Sequence, residues 1–189
     1  MTELPQELQD EFVLAAHGNA QRVHELLTYH PDLARTARWS RFDESAMDAA
    51  AHTGRREIAE KLLAAGAPMT IFAAAALGRE GDVAALLDAG DQTADARGIH
   101  DISLLFHAAL SGKLSLVELV RRRGASDRAI DEALHASVIA DAPDVVEFLL
   151  AEGADTDVRN FEGRTPLEAA RERGADRAAR VLAATRPAP

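Results

Sequence analysis

The side chains able to do chemistry in this chain are seven histidines and a surplus of carboxylates, with no cysteine. His17 and His52 each close a short alanine-rich stretch, Ala15-Ala16-His17-Gly18 and Ala50-Ala51-His52-Thr53-Gly54, so the repeat places them near each other at the ends of adjacent helices. Two imidazoles are only two ligands, whereas zinc takes three or four, and no His-Glu-x-x-His segment exists because His24-Glu25 lacks its second histidine. No metal and no cofactor are therefore expected. His17, His52 and His100, with Asp43 or Asp101 nearby, define an alternative reading as a small-ligand or enzymatic site, which requires a deep pocket where these groups converge.

Other reactive constellations fail on spacing. Gly112-Lys113 lacks the preceding glycine of a phosphate loop, and neither Gly-x-Ser-x-Gly nor Gly-x-Gly-x-x-Gly occurs. Asp155 and Asp157 lack the twelve-residue calcium-loop pattern and read as a turn. Arg121-Arg122-Arg123 suits the C-terminal turn of a helix, where cations meet the negative end of the dipole.

The elements that must position these side chains repeat. From Ser103, the run Leu104 to Ser111 has small and apolar residues at helical spacing and ends at Gly112; Leu116, Val117 and Val120 then line a second amphipathic helix closed by Gly124. The same helix–turn–helix template fits residues 8–30, 43–66, 67–90, 101–124, 130–153 and 163–184, with atypical copies at the two ends. With Gly18, Gly54, Gly78, Gly112, Asp141 and Gly174 as markers, the spacings are 36, 24, 34, 29 and 33 residues. The short gaps imply tight links at Ala67-Pro68-Met69 and Ala125-Ser126-Asp127. Long connections, His30 to Glu44 and Asp91 to Ile102, depart most from a plain repeat. The expected fold is all-α, a repeat solenoid of about six units in a single array over residues 1–189.

Thr165-Pro166-Leu167-Glu168-Ala169-Ala170 resembles the ankyrin signature Thr-Pro-Leu-His-x-Ala, Ala133-Leu134-His135 retains its histidine, and Glu152-Gly153-Ala154-Asp155 resembles the segment between ankyrin repeats. The resemblance spans roughly residues 8 to 184. It implies a concave face built from first helices and finger tips, onto which a partner protein docks, and it gives His107 and His135 structural hydrogen bonds. It also implies that the residues before each helix-ending marker face the groove. The residues expected to touch a partner are Trp39, Arg41, Phe42, His52, Thr53, Leu77, His100, Leu110, Ser111 and Ile139. Leu77, Leu110 and Ile139 would then form an apolar strip, unless irregular connections close the groove and turn them into core.

Composition narrows the function further. With 21 Lys and Arg against 31 Asp and Glu, the formal charge is −10, so nucleic acid meets net repulsion. Only 4% of residues are aromatic, so alanine contacts must let helices approach closely. The absence of cysteine removes disulfides and thiolate chemistry. Met1 to Asp10 lacks the basic and apolar regions of a secretory signal, and no run reaches the ~18 apolar residues of a membrane span. The expectation is a cytoplasmic, non-enzymatic adaptor, monomeric, binding an unidentified protein and neither nucleic acid nor membrane; a self-assembling structural repeat protein is the further alternative.

Overall fold

Short polar residues start the helices, and left-handed residues end them. In the computed structural model, which describes residues 4–90 and 92–185, Ser45, Thr70, Ser103 and Thr165 each accept a hydrogen bond from a backbone N–H three residues on. Ser45 with Asp48, and Thr165 with Glu168, complete reciprocal capping boxes. Residues 1–3, Asp91 and 186–189 fall outside the description, and with them part of the N-terminal reading and the start of the second long connection.

These signals produce six successive helix pairs: α1 (Gln6–Ala16) with α2 (Ala20–Tyr29), α4 (Ala46–His52) with α5 (Arg56–Ala64), α6 (Ile71–Ala76) with α7 (Glu80–Asp88), α8 (Leu104–Leu110) with α9 (Leu114–Arg122), α10 (Arg128–Ile139) with α11 (Pro143–Ala151), and α12 (Pro166–Arg173) with α13 (Asp176–Thr185). A single extra turn, α3 (Leu33–Thr36), follows α2. First helices stack on first helices in the order α1, α4, α6, α8, α10, α12. None of the helices among the described residues is long and apolar enough to cross a membrane.

Gly54, Gly78, Gly112 and Gly174 end their first helices at φ of 68, 69, 70 and 68°, a region that costs other residues about 1 kcal/mol or more. Asp141 occupies the same position at φ 46°, and its carboxylate accepts the N–H groups of Arg177 (3.0 Å) and Ala178 (2.9 Å) at the start of α13. Gly18, by contrast, is not left-handed; the chain passes directly into Asn19, which caps α2 through the Arg22 N–H.

Small side chains let the stack close. Ala49, Ala50 and Ala51 of α4 and Ala73, Ala74 and Ala75 of α6 are almost fully buried, and the larger Phe12, Met47, Leu62, Leu104, Leu116, Leu134 and Leu149 fill the space between the two helix layers. Removing one such leucine to alanine costs roughly 2–5 kcal/mol. Leu77 and Leu110 belong to this core at 3% and 9% exposure, so the expected apolar strip does not form at those two positions. Each precedes its left-handed glycine by one or two residues and packs among buried apolar side chains.

Candidate functional site

Two fingers build the site. In the first, β1 (Arg38–Trp39) pairs antiparallel with β2 (Glu44–Ser45) in the register Arg38 to Ser45 and Trp39 to Glu44. Directly opposed residues share a face of such a pair, so Trp39 and Glu44 point the same way. Helix α1 pins the finger: Gln9 Oε1 accepts the Arg38 N–H at 3.2 Å, and the Asp10 carboxylate accepts the Ser40 hydroxyl at 2.6 Å and N–H at 2.8 Å. Those Ser40 bonds hold the Asp10 carboxyl below its ordinary range.

The second finger is closed by a bridge between Arg97 and Ser103, with His100 and Asp101 at its tip in left-handed conformation. Arg97 braces it through ion pairs to Asp101 and to Glu132 of α10. His100 thereby reaches back to the first finger.

Between them lies Glu44, whose side chain is 0% exposed. His17 Nε2 and His100 Nε2 each lie 3.6 Å from its Oε2, and His52 Nδ1 lies 3.2 Å from its Oε1. His52 directs that nitrogen at the Asp48 carbonyl (2.9 Å), and neither Glu44 oxygen has a hydrogen-bond partner. Burial disfavours the ionised carboxyl, but His52, His17 and His100 outweigh it and hold Glu44 below the usual carboxylate range.

Five rings surround this carboxylate. His17 meets Trp39 edge to face at 5.9 Å, Trp39 meets Phe42 at 5.1 Å, Phe42 meets His100 at 4.9 Å, His100 meets His52 at 5.3 Å, and His52 meets His17 at 5.3 Å, which closes the circle. The Arg41 guanidinium lies 4.9 Å from the Phe42 ring centroid. The imidazoles open onto a groove of about 1170 Å³ that continues past Arg55, Arg128 and Glu132 to Ile139 and Phe161.

Of the residues expected to form a surface, the structure gathers Trp39, Arg41, Phe42, His52 and His100. Thr53 lines the groove but its hydroxyl donates to the Ala49 carbonyl. Ser111 is half-buried and donates to Ala108. Ile139 is exposed at 41% further along the groove, while Leu77 and Leu110 are core.

The histidines expected to converge with Asp43 or Asp101 do converge, on a different acid. Asp43 is the left-handed residue of the finger turn, and Asp101 is engaged by Arg97 and Arg128. Glu44 was missed because it reads as the residue before the Ser45 cap; the alternation across a finger, with Trp39 opposite, is the signal that finds it. His107 is buried with its Nδ1 against the Ser103 carbonyl at 2.8 Å, and burial pushes its pKa down to about 4. His135 is 3.2 Å from the Val158 carbonyl and is likewise lowered by burial.

Residues 105–187 match the family model described as ankyrin repeats, in three copies. This match, over less than half of the chain, supports an ankyrin repeat family. It is 47% identical over 49 residues to the NF-kappa-B inhibitor alpha of Gallus gallus, covering 26% of this chain and 15% of that protein. It is 33% identical over 103 residues to the E3 ubiquitin-protein ligase hecd-1 of Caenorhabditis elegans, covering 52% of this chain and 4% of that protein. The chain thus spans a small fraction of each relative. The ankyrin match begins at residue 105, so His17, Glu44, His52 and His100 all precede the matched segment.

Proposed function

We propose that this ankyrin array is a protein-interaction module whose concave groove receives a segment of a partner protein. Ankyrin repeats are generally protein–protein interaction modules. The observation that carries the reading is the groove of about 1170 Å³ with Ile139 at 41% and Phe161 at 94% exposure on its lining. Exposed apolar side chains beside a polar rim of Arg55, Arg128 and Asp131 are the composition of an anchoring patch. The partner segment supplies an apolar anchor to Ile139 and Phe161. Trp39, Arg41 and Phe42 bound the other end of the surface.

The test is a selection of displayed protein fragments on the intact chain, followed by affinity measurement of the selected segments. Ile139→Glu with Phe161→Glu is expected to weaken them at least about tenfold. Tyr29→Ala, exposed at 79% and outside the groove, is the control and leaves affinity unchanged. Segments that bind both variants equally would show that another surface is used. In this reading the chain is a monomer, and sedimentation that is independent of concentration is the expected result; self-association would favour an assembling role instead.

A further inference from the structure

Partner binding by Ile139 and Phe161 gives no role to Glu44, the single buried acidic residue among those described. A carboxylate taken out of water with no donor on either oxygen is unfavourable unless a cation compensates it. Imidazole nitrogens surround it. His17 Nε2 and His100 Nε2 stand 3.6 Å from Oε2, and His52 Nδ1 stands 3.2 Å from Oε1. The ligand atoms that His17, Glu44 and His52 offer all lie within 4.8 Å of one another. Neighbouring donors of a tetrahedral zinc ion with bonds of about 2.0–2.1 Å are spaced about 3.3–3.4 Å apart, which the 3.6 Å between His17 Nε2 and Glu44 Oε2 approaches.

We infer that His17, Glu44 and His52 form a mononuclear site for a divalent first-row transition ion, with zinc the best fit and water completing its coordination. Two imidazoles and one carboxylate, with no thiolate, suit zinc and its imidazole-binding neighbours better than calcium or magnesium. The supporting contacts agree. His17 holds its Nδ1 3.0 Å from the Val13 carbonyl, which fixes the Nδ1–H tautomer and leaves the Nε2 lone pair for a ligand. The Asp48 carbonyl holds a proton on His52 Nδ1 in the same way, so His52 ligates through Nε2. Trp39 and Phe42 shield the cluster on one side, and the groove gives an ion access on the other. The ion would clasp the first finger to α1 and α4.

The experiment uses the full chain stripped with a chelator and titrated with Co²⁺ alone, then with Zn²⁺. One equivalent of Co²⁺ is expected to produce the visible d–d bands of low-coordinate cobalt, and Zn²⁺ to abolish them. Zinc at a hundredfold excess over Kd should raise Tm by about 5–10 °C. His52→Gln and Glu44→Gln should weaken binding at least about a hundredfold. Should these buried variants fail to fold, His17→Gln decides, since its side chain is 29% exposed just after α1. His24→Asn, exposed on α2, should bind as wild type does. Absence of the bands and of the Tm rise in wild type overturns the site, as does full binding by His17→Gln or loss of binding in His24→Asn.

Discussion

Trp39 and Glu44 stand opposite each other in the β1–β2 ladder, and both turn onto His17, one against the ring edge and one toward Nε2. The tryptophan therefore positions the carboxylate's wall as well as covering it. Trp39→Ala removes two of the five ring contacts around Glu44 and the packing of a half-buried indole on the apolar core that includes Phe12 and Met47. Full burial of such a ring would make the loss about 3–5 kcal/mol; half-burial puts the expected cost at about 1–3 kcal/mol, read from urea unfolding. A change below about 0.5 kcal/mol would mean that the ring contacts do not bear on stability.

Asp141 replaces the usual glycine because it does two things at once. Its backbone takes the left-handed turn, and its side chain caps α13 of the next unit. Asp141→Gly relieves the backbone and loses the cap, whereas Asp141→Ala loses the cap and keeps the strain. The expected order of stability is Asp, then Gly, then Ala, with alanine about 1–3 kcal/mol below wild type. Thermal unfolding of the three proteins checks the order, and an alanine variant as stable as wild type would remove the cap argument.

The helix pairs were legible in the sequence because each carries its own local signals: a serine or threonine cap, alanine spacing, a left-handed marker. The site was legible only in fragments. His17 and His52 share the repeat register, so their proximity followed from spacing, but His100 reaches them through a finger whose tip bends at two left-handed residues. Glu44 depends on strand pairing between segments of two residues each, too short for alternation to announce itself. Leu77 and Leu110 fall in the core, the alternative that spacing alone left open beside the apolar strip, because a residue just before a helix-ending glycine can face either side and only the packed neighbours decide.

His107 makes stability fall in mild acid. Burial is the main cause of its low pKa of about 4 against 6.5, with charge on His52 adding to it and the Ser103 carbonyl opposing it. Between pH 6.5 and about 4 the unfolded chain binds a proton that the folded chain refuses, so the contribution of neutral His107 is complete above pH 6.5 and shrinks as pH drops through that window. The loss reaches roughly 3 kcal/mol at the lower end. His107→Gln should flatten the wild-type slope of unfolding free energy between pH 6.5 and 4.5. Equal slopes would show that the imidazole is not held neutral.

Leu110 and Ile139 separate core from groove in a single comparison. Both end a first helix, yet Leu110 is 9% exposed inside the main core cluster and Ile139 is 41% exposed on the groove lining. A glutamate at Leu110 must bury a charge among apolar core side chains, so Leu110→Glu is expected to destabilise the fold by about 3 kcal/mol or more, or to protonate instead. Ile139→Glu keeps its carboxylate in water and should stay within about 1 kcal/mol of wild type. Far-UV dichroism during denaturant unfolding measures both. A stable Leu110→Glu protein with an intact unfolding transition would mean that the packing over Leu110 opens readily, and the groove would then extend across α8 as well as α10.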